Sequence, residues 1–572
     1  MTERLNIILV PHTHWDREWY QTFQQFRMRL VHAIDRLLDI LDRDPAFTHF
    51  MLDGQTIVLD DYLEVRPENA ERLKNYIRSG RIQVGPWYLQ PDEFLVSGES
   101  LVRNLQIGLR QAAEFGGQMR AGYVPDIFGH IAQLPQILRG FGIDNAIFWR
   151  GVGTEAHKSE FFWTAPDGSQ VLVIFLAGLM GYSNARDMPF NPEEFAARVE
   201  LLVAPLLPMA TTNTVLFMNG SDHLEPQDGL PETIEAANRL LAHINPEHAK
   251  LLSQYGPLEI DGQIKHIDSI HVRMGTLPEY IQAVQQQIER SPATSLQVLS
   301  GEMRSSQLSH LLPSVLSTRM WIKQENVATE HLLERWVEPL TAWAWKLGAP
   351  YPQGFVRLAW KYLLFNHPHD SICGCSIDQV HRENSVRFAQ SQQIGEDLAT
   401  QAMHHLASVT DTRATIHMNS NQPHRDREAT PILVFNPAPG PRTEAVQIRT
   451  QLPGSLNQAV IVDAQGKRMP LQVVNRWRQE LGSMPVAREM VASAVALMGE
   501  QAPGEFIQMA QSTLGGMMGQ AETAYEITRV TIEEGQQPGV ASIEVMLSRA
   551  GNTGMNSQEL LAAERKVLDL LE

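Results

Sequence analysis

The residues best suited to chemistry come in short polar stretches that directly follow apolar runs. Leu5-Asn6-Ile7-Ile8-Leu9-Val10 leads into Pro11-His12-Thr13-His14-Trp15-Asp16. His12, His14 and Asp16 occupy alternate positions, so in extended chain their side chains share one face. Two imidazoles and a carboxylate suit a divalent metal such as zinc. The same residues can also simply cap a strand. Gly122-Tyr123-Val124 leads into Pro125-Asp126, and Val215-Leu216-Phe217-Met218 into Asn219-Gly220-Ser221-Asp222-His223. A third cluster is Asn366-His367-Pro368-His369-Asp370-Ser371-Ile372-Cys373-Gly374-Cys375. A metal seat needs three or four ligands: His14, Asp16 and His369 supply three, and Asp126 a fourth. Asp126 and Asp222 lie at different strand ends, as a glycosidase requires of two carboxylates flanking a reacting bond. A metal-dependent hydrolase that activates water would use the same ligands with one base. Taken singly, each aspartate can cap a helix, His369-Asp370 can be a structural pair, and Trp19 and Trp87 can be core aromatics. The residues alone leave these readings open.

The elements that must position these groups are legible up to about residue 270. Seven apolar runs end in polar or glycine-containing residues. Besides the three above they are His49–Leu52, Arg81–Val84, Ala146–Trp149 (running into Arg150) and Val171–Leu176. Helical stretches separate them, the first over Phe26–Asp42. This alternation implies an α/β fold, either a barrel or a doubly wound sheet, whose catalytic edge is the C-terminal end of the strands. We expect a seven-stranded parallel α/β barrel over 1–272. Helical periodicity over Pro278–Arg290, Met320–Leu340 and Phe355–Leu364 implies a three-helix bundle over 273–410 that supplies a metal ligand, with Pro368 interrupting a helix. A linker is expected over 411–430 and a β-rich segment over 431–572, with strands at Pro431–Asn436, Ala445–Arg449, Ala459–Val462, Tyr525–Ile532 and Ser542–Leu547. A terminal helix is expected over Ser557–Leu571. Residues 480–521, rich in Met, Gln, Gly and Ala, receive no assignment.

The chain has 572 residues, 43% hydrophobic and 20% charged, with a formal net charge of −18. That composition is globular and disfavours a nucleic acid as the main partner. No window approaches the ~20 apolar residues of a membrane span, and the N-terminal apolar run is too short for a secretory core. The two cysteines, Cys373 and Cys375, are poorly spaced for an ordinary disulfide and have no second pair to complete a metal site. A reducing, cytoplasmic setting is expected.

The chain resembles the class II α-mannosidases, glycoside hydrolase family 38, in particular the bacterial branch. The resemblance rests on His12-Thr-His14-Trp-Asp16-Arg-Glu-Trp19, Leu52-Asp-Gly-Gln55, Gly85-Pro-Trp-Tyr88, Pro91-Asp-Glu93 and Val124-Pro-Asp126-Ile-Phe-Gly-His130. It continues through Phe148-Trp-Arg150, Asn219-Gly-Ser-Asp222 and His367-Pro-His369-Asp370, in the family's order across roughly residues 5–475. It implies one zinc ion per chain, held by His14, Asp16, Asp126 and His369 and gripping the sugar's hydroxyls. It implies Asp126 as nucleophile and Asp222 as general acid and base of a retaining exo-α-mannosidase. Trp19 would stack beneath the sugar, with Arg150 and Asp370 contacting its hydroxyls or the nucleophile. Substrates would be small α-mannosides or manno-oligosaccharides; linkage, natural substrate and oligomeric state, a homodimer included, stay open. The departure is C-terminal: similarity fades after Ala459–Val474, so the outer wall of the pocket is expected to be shortened. Two rivals follow, a metal-dependent amidohydrolase or deacetylase, and an inactive carbohydrate-binding remnant.

Overall fold

The computed structural model describes residues 2–244, 246–290, 296–412, 431–448, 460–463, 467–474, 486–487, 525–534 and 540–549. The organising strand is β1 (Thr2–Thr13). Leu5, Ile7 and Leu9 point into one apolar cluster, and Ile8 and Val10 into another. Period-two alternation with apolar residues on both faces is the mark of a strand buried on both sides.

Among the described residues ten further strands follow in the α/β region: β2 (Phe50–Leu52), β3 (Ile82–Gln83), β4 (Tyr123–Val124), β5 (Asn145–Phe148), β6 (Glu160–Thr164) and β7 (Gln170–Phe175). Then come β8 (Thr214–Asn219), β9 (Leu258–Ile260), β10 (Gln263–Met274) and β11 (Val298–Ser300). β1 pairs in parallel with β10 through residues 2–9, with β8 through residues 6–11 and with β2 at His12 and Thr13.

The seven expected strands all form, but their hydrogen-bonded ladders belong to two sheets, of six and five strands, rather than one seven-membered ring. Four strands were not expected, and two pairings, β6 with β7 and β9 with β10, are antiparallel. The inward faces of both sheets still share one cluster that includes Ile8, Met51, Tyr123, Ile147, Leu172 and Leu216.

The helix Phe23–Arg43 covers this layer with Phe26, Leu30, Ile34, Leu37 and Leu41 buried and Met28 facing solvent. The helix Leu277–Arg290, expected in the helical region, packs Leu277, Tyr280 and Val284 into the strand cluster instead. β11 likewise joins the second sheet. The helical layer therefore begins later than residue 273. It consists of Met320–Leu332, which continues through a π turn at Leu333–Val337 into Glu338–Lys346, together with Gln353–Leu364 and Asp378–Val409. These pack around Ile322, Leu340, Val356, Trp360, Leu363 and Phe388. No described helix is long and apolar enough to cross a membrane.

Residues Met1–Thr410 and Phe435–Pro441 form one compact unit; Asp411–Val434 and Arg442–Glu572 form a second. Within the second, Ile461–Val462 pairs with Arg468–Met469, and Tyr525–Glu534 with Val540–Arg549, which also pairs with Val486–Ala487, all antiparallel. Residues 431–436 and 445–448, expected as strands, are irregular. Nearly all of the expected linker, most of 480–521 and the terminal helix lie outside the described residues.

Candidate active site

Five of the chemically apt residues sit just past the C-terminal end of a strand. His14 and Asp16 follow β1, Asp126 follows β4, Arg150 follows β5 and Asp222 follows β8. A parallel bridge joins His14 to Asp222. That approach depends on Gly220, where a Cβ would lie 2.0 Å from the His12 carbonyl oxygen. His369 arrives from the helical layer. The Gln353–Leu364 helix ends, and Pro368 caps the short helix His369–Ile372. The His369 N–H donates to Gln90 O (3.3 Å) and the Asp92 N–H to His367 O (3.0 Å). Glu18, buried beside Asp16, accepts from Ser371 Oγ at 2.7 Å and from both terminal nitrogens of Arg387 at 2.6 Å. Three separate parts of the chain are thus tied at one point.

The result is a convergence of two imidazoles and two carboxylates. His14 Nε2 lies 3.1 Å from Asp16 Oδ1, which lies 3.4 Å from His369 Nε2, itself 3.7 Å from Asp126 Oδ2. His14 Nε2, Asp16 Oδ1 and His369 Nε2 are buried with no hydrogen-bond partner. Buried polar atoms are nearly always satisfied, so a cluster of orphans all able to ligate fits a cation. Two imidazoles and two carboxylates are donors that zinc accepts. His12 does not take part: its Nε2 bonds the Tyr182 carbonyl oxygen at 2.8 Å.

Around these groups stand residues that sequence reasoning gave no role. Asp53 receives His14 Nδ1 at 3.0 Å and is itself fixed by the Trp15 N–H and Gln55 Nε2, each at 2.9 Å. With Nδ1–H donated there, Nε2 presents its lone pair to the cluster. His223 stacks on Phe26 at 4.1 Å and bonds the Asp16 carbonyl oxygen at 3.1 Å. The Tyr182 hydroxyl donates to Asp222 Oδ1 at 2.8 Å. The stretch Leu52-Asp53-Gly54-Gln55 was visible as a motif; Tyr182 carried no signal beyond being an aromatic after an apolar run.

Arg150 grips Asp126 Oδ1 through Nε at 2.7 Å and a terminal nitrogen at 2.5 Å, leaving Oδ2 turned to the cluster. Asp370 Oδ2 lies 3.7 Å from His369 Nε2. Trp19 is half-buried; its ring meets Tyr20 edge-on at 5.0 Å, and its carbonyl accepts from the Ile377 N–H just beyond Asp370. Trp87 is a fully buried core residue.

The electrostatics follow from this crowding. Burial would raise the Asp126 carboxyl, but the His369 ring and the Arg150 guanidinium outweigh it and hold the group below the usual carboxylate range. Burial likewise opposes ionised Asp16, and the His14 ring overrides it. Burial disfavours charge on His14 and His369, yet the carboxylates win: His14 is pushed well up by Asp53 and Asp16, and His369 to about 9 by Asp370, Asp126 and Asp16. Burial, then the charge of Asp16, pushes Asp370 up. Burial and the charges of Asp126, Asp222 and Asp16 push the Tyr182 phenol far up, so it remains a donor to Asp222. The cluster draws positive charge, by protons or by a cation.

Residues 4–302 match the N-terminal domain of glycosyl hydrolases family 38, and residues 311–406 the α-mannosidase middle domain. A protein of Halalkalibacterium halodurans named "Putative mannosylglycerate hydrolase" is 35% identical over 395 residues, covering 66% of this chain and 40% of that one. Human "Alpha-mannosidase 2C1" is 26% identical over 400 residues, covering 68% of this chain and 34% of its own. The crystal structure of an α-mannosidase from Enterococcus faecalis V583 superposes with a TM-score of 0.66 at 28% identity, covering 95% of this chain and 54% of that one. The chain thus spans about half, or less, of the length of these relatives.

Proposed function

The chain belongs to glycosyl hydrolase family 38, and from that premise we propose that it is a zinc-dependent, retaining exo-α-mannosidase acting on small α-mannosides. One observation carries the reading: the orphaned His14 Nε2, Asp16 Oδ1 and His369 Nε2 meet beside Asp126, with Asp222 joined by a bridge to His14. Zinc held by those four residues would supply a positive charge that grips the sugar's hydroxyls.

The remaining chemistry belongs to the chain's own groups. Arg150, bonded to Oδ1, keeps Asp126 ionised, so its carboxylate can attack the anomeric carbon and form a mannosyl ester. Asp222, steadied at Oδ1 by Tyr182, gives a proton to the departing oxygen. It then takes a proton from water, which attacks the same carbon and frees Asp126. Two inversions retain configuration, and this requires the two carboxyl groups to stand roughly 5–5.5 Å apart. Asp370 and Trp19 orient the sugar.

The test is hydrolysis of a chromogenic α-mannoside before chelation, after it, and after zinc is restored, with trapping by a fluorinated mannosyl donor. Chelator-sensitive turnover with the label on Asp126 is expected. Label elsewhere overturns the catalytic assignment. Chelator-sensitive deacetylation without mannoside cleavage instead supports a water-activating hydrolase. Comparing a mannosylglycerate with manno-oligosaccharides decides the substrate, since the Halalkalibacterium relative's name suggests the former.

A further inference from the structure

The spacing of Cys373 and Cys375 argues against a bond between them, but the fold overrides the spacing. Cys373 ends the short helix that carries His369 and Asp370. Gly374 then turns back at φ +81°, which brings the two sulfurs to 3.2 Å. The turn is held from behind. Arg319 donates to the Gly374 carbonyl oxygen, and Lys323 Nζ donates to that of Cys373 at 2.7 Å. Cys373 is buried, Cys375 is exposed, and the Cys375 thiol lies 3.1 Å from Asp370 Oδ1. A disulfide needs its sulfurs roughly 2 Å apart, so a small movement within the turn suffices.

We propose that Cys373 and Cys375 are a dithiol site which small-molecule disulfides oxidise to an internal disulfide, and that this bond withdraws the Cys375 thiol from Asp370 and weakens the site's hold on sugar. The exchange balances. The Cys375 thiolate attacks the small disulfide, forming a mixed disulfide and releasing one small thiol. Cys373 then attacks the Cys375 sulfur and releases the second. The protein loses two hydrogens and the oxidant is reduced to two thiols. Asp370 keeps its place beside His369 but loses the donor that fixes Oδ1. Losing a thiol hydrogen bond of this kind is expected to cost roughly two- to ten-fold in affinity. The coupling to sugar rests on the α-mannosidase reading; the oxidation does not.

The experiment uses the full chain in glutathione buffers taken to equilibrium, because the Cys373 hydrogen bond and burial push the Cys375 thiol up and slow the exchange. These are the chain's two cysteines, so thiol titration and intact mass report this pair alone. Glutathione disulfide is expected to remove both thiols and two hydrogens, with no lasting adduct, reversibly with dithiothreitol. The KM for an α-mannoside is expected to rise roughly two- to ten-fold, with zinc content unchanged. Cys375→Ser is expected to hold KM constant under the same oxidant, whereas Cys373→Ser, without the thiol that resolves the mixed disulfide, is expected to keep a glutathione adduct on Cys375. Two thiols that stay reactive, or a lasting glutathione adduct on the unsubstituted chain, would overturn the oxidation. A disulfide that leaves KM unchanged overturns the coupling. Absence of mannoside turnover overturns the functional reading and the coupling together, while the mass and thiol readouts decide the oxidation separately.

Discussion

Asp53 illustrates what a single residue does here that its neighbours in sequence do not reveal. Its backbone sits at φ +54° and Gly54 follows at +63°. A non-glycine residue held there costs on the order of 1–3 kcal/mol and persists only where the surroundings enforce it. The enforcement is visible: the Trp15 N–H and Gln55 Nε2 both bind Asp53 Oδ2, and the free oxygen meets His14 Nδ1. The strained turn therefore places a carboxylate behind the imidazole of His14, which we propose holds zinc. Asp53→Asn should weaken zinc binding by roughly 10- to 100-fold, read by competition against a chromophoric chelator, with the helical circular dichroism intact. Undiminished zinc affinity would make Asp53 a turn residue only. Nothing local could have disclosed this, because the partner lies thirty-nine positions away.

At the scale of elements, sequence reading succeeded where a strand is buried on both faces. β1, β5, β7 and β8 are nearly continuous apolar runs, and each had been identified. It failed on β10, of whose residues only Ile270 and Val272 are buried, and on β6, though Ala165-Pro166-Asp167-Gly168 offered a hairpin signal. Misreading β6 hid Glu160, which is buried where β6 meets the Leu277–Arg290 helix. It accepts from the Thr211 N–H (3.0 Å), Thr211 Oγ1 (2.7 Å) and the Tyr280 hydroxyl (3.0 Å). Burial outweighs these donors and raises its carboxyl above the usual value. A raised folded-state pKa means the folded protein binds the extra proton, so stability is fullest below the ordinary glutamate value and falls as pH rises through the folded one. Relative to Glu160→Gln, the natural protein should lose urea-midpoint advantage between pH 5 and pH 8; a gap that is constant or widens refutes the assignment. The tie between Glu18 and Arg387 permits a second test. Arg387→Ala leaves the Glu18 carboxylate buried without its cation, at a cost of roughly 3–5 kcal/mol. Urea unfolding should show that loss, and zinc affinity should fall with it, since Glu18 also holds Ser371 beside His369.

For the whole molecule, every residue assigned to zinc, nucleophile, acid or sugar lies within Met1–Thr410, inside the first compact unit. Strand-end placement pointed to most of the candidate residues; His369, more than three hundred residues from His14, was a candidate by residue type alone, and only the fold explains how it docks there. The same unit reclaims Phe435–Pro441, and Phe435 packs against the helical core with Trp360 and Phe388. A chain ending at Pro441 should therefore fold and bind zinc as the full chain does. One ending at Thr410 loses a partly buried phenylalanine, at a cost of about 1–2 kcal/mol. The measurements are urea midpoints and zinc competition on all three lengths. Equal midpoints for the two shorter chains would show that Phe435 is not part of the core. If the Pro441 chain binds zinc and cleaves mannoside as well as the full chain does, catalysis resides wholly in the first unit; loss of cleavage with zinc binding intact gives residues 442–572 a part in turnover.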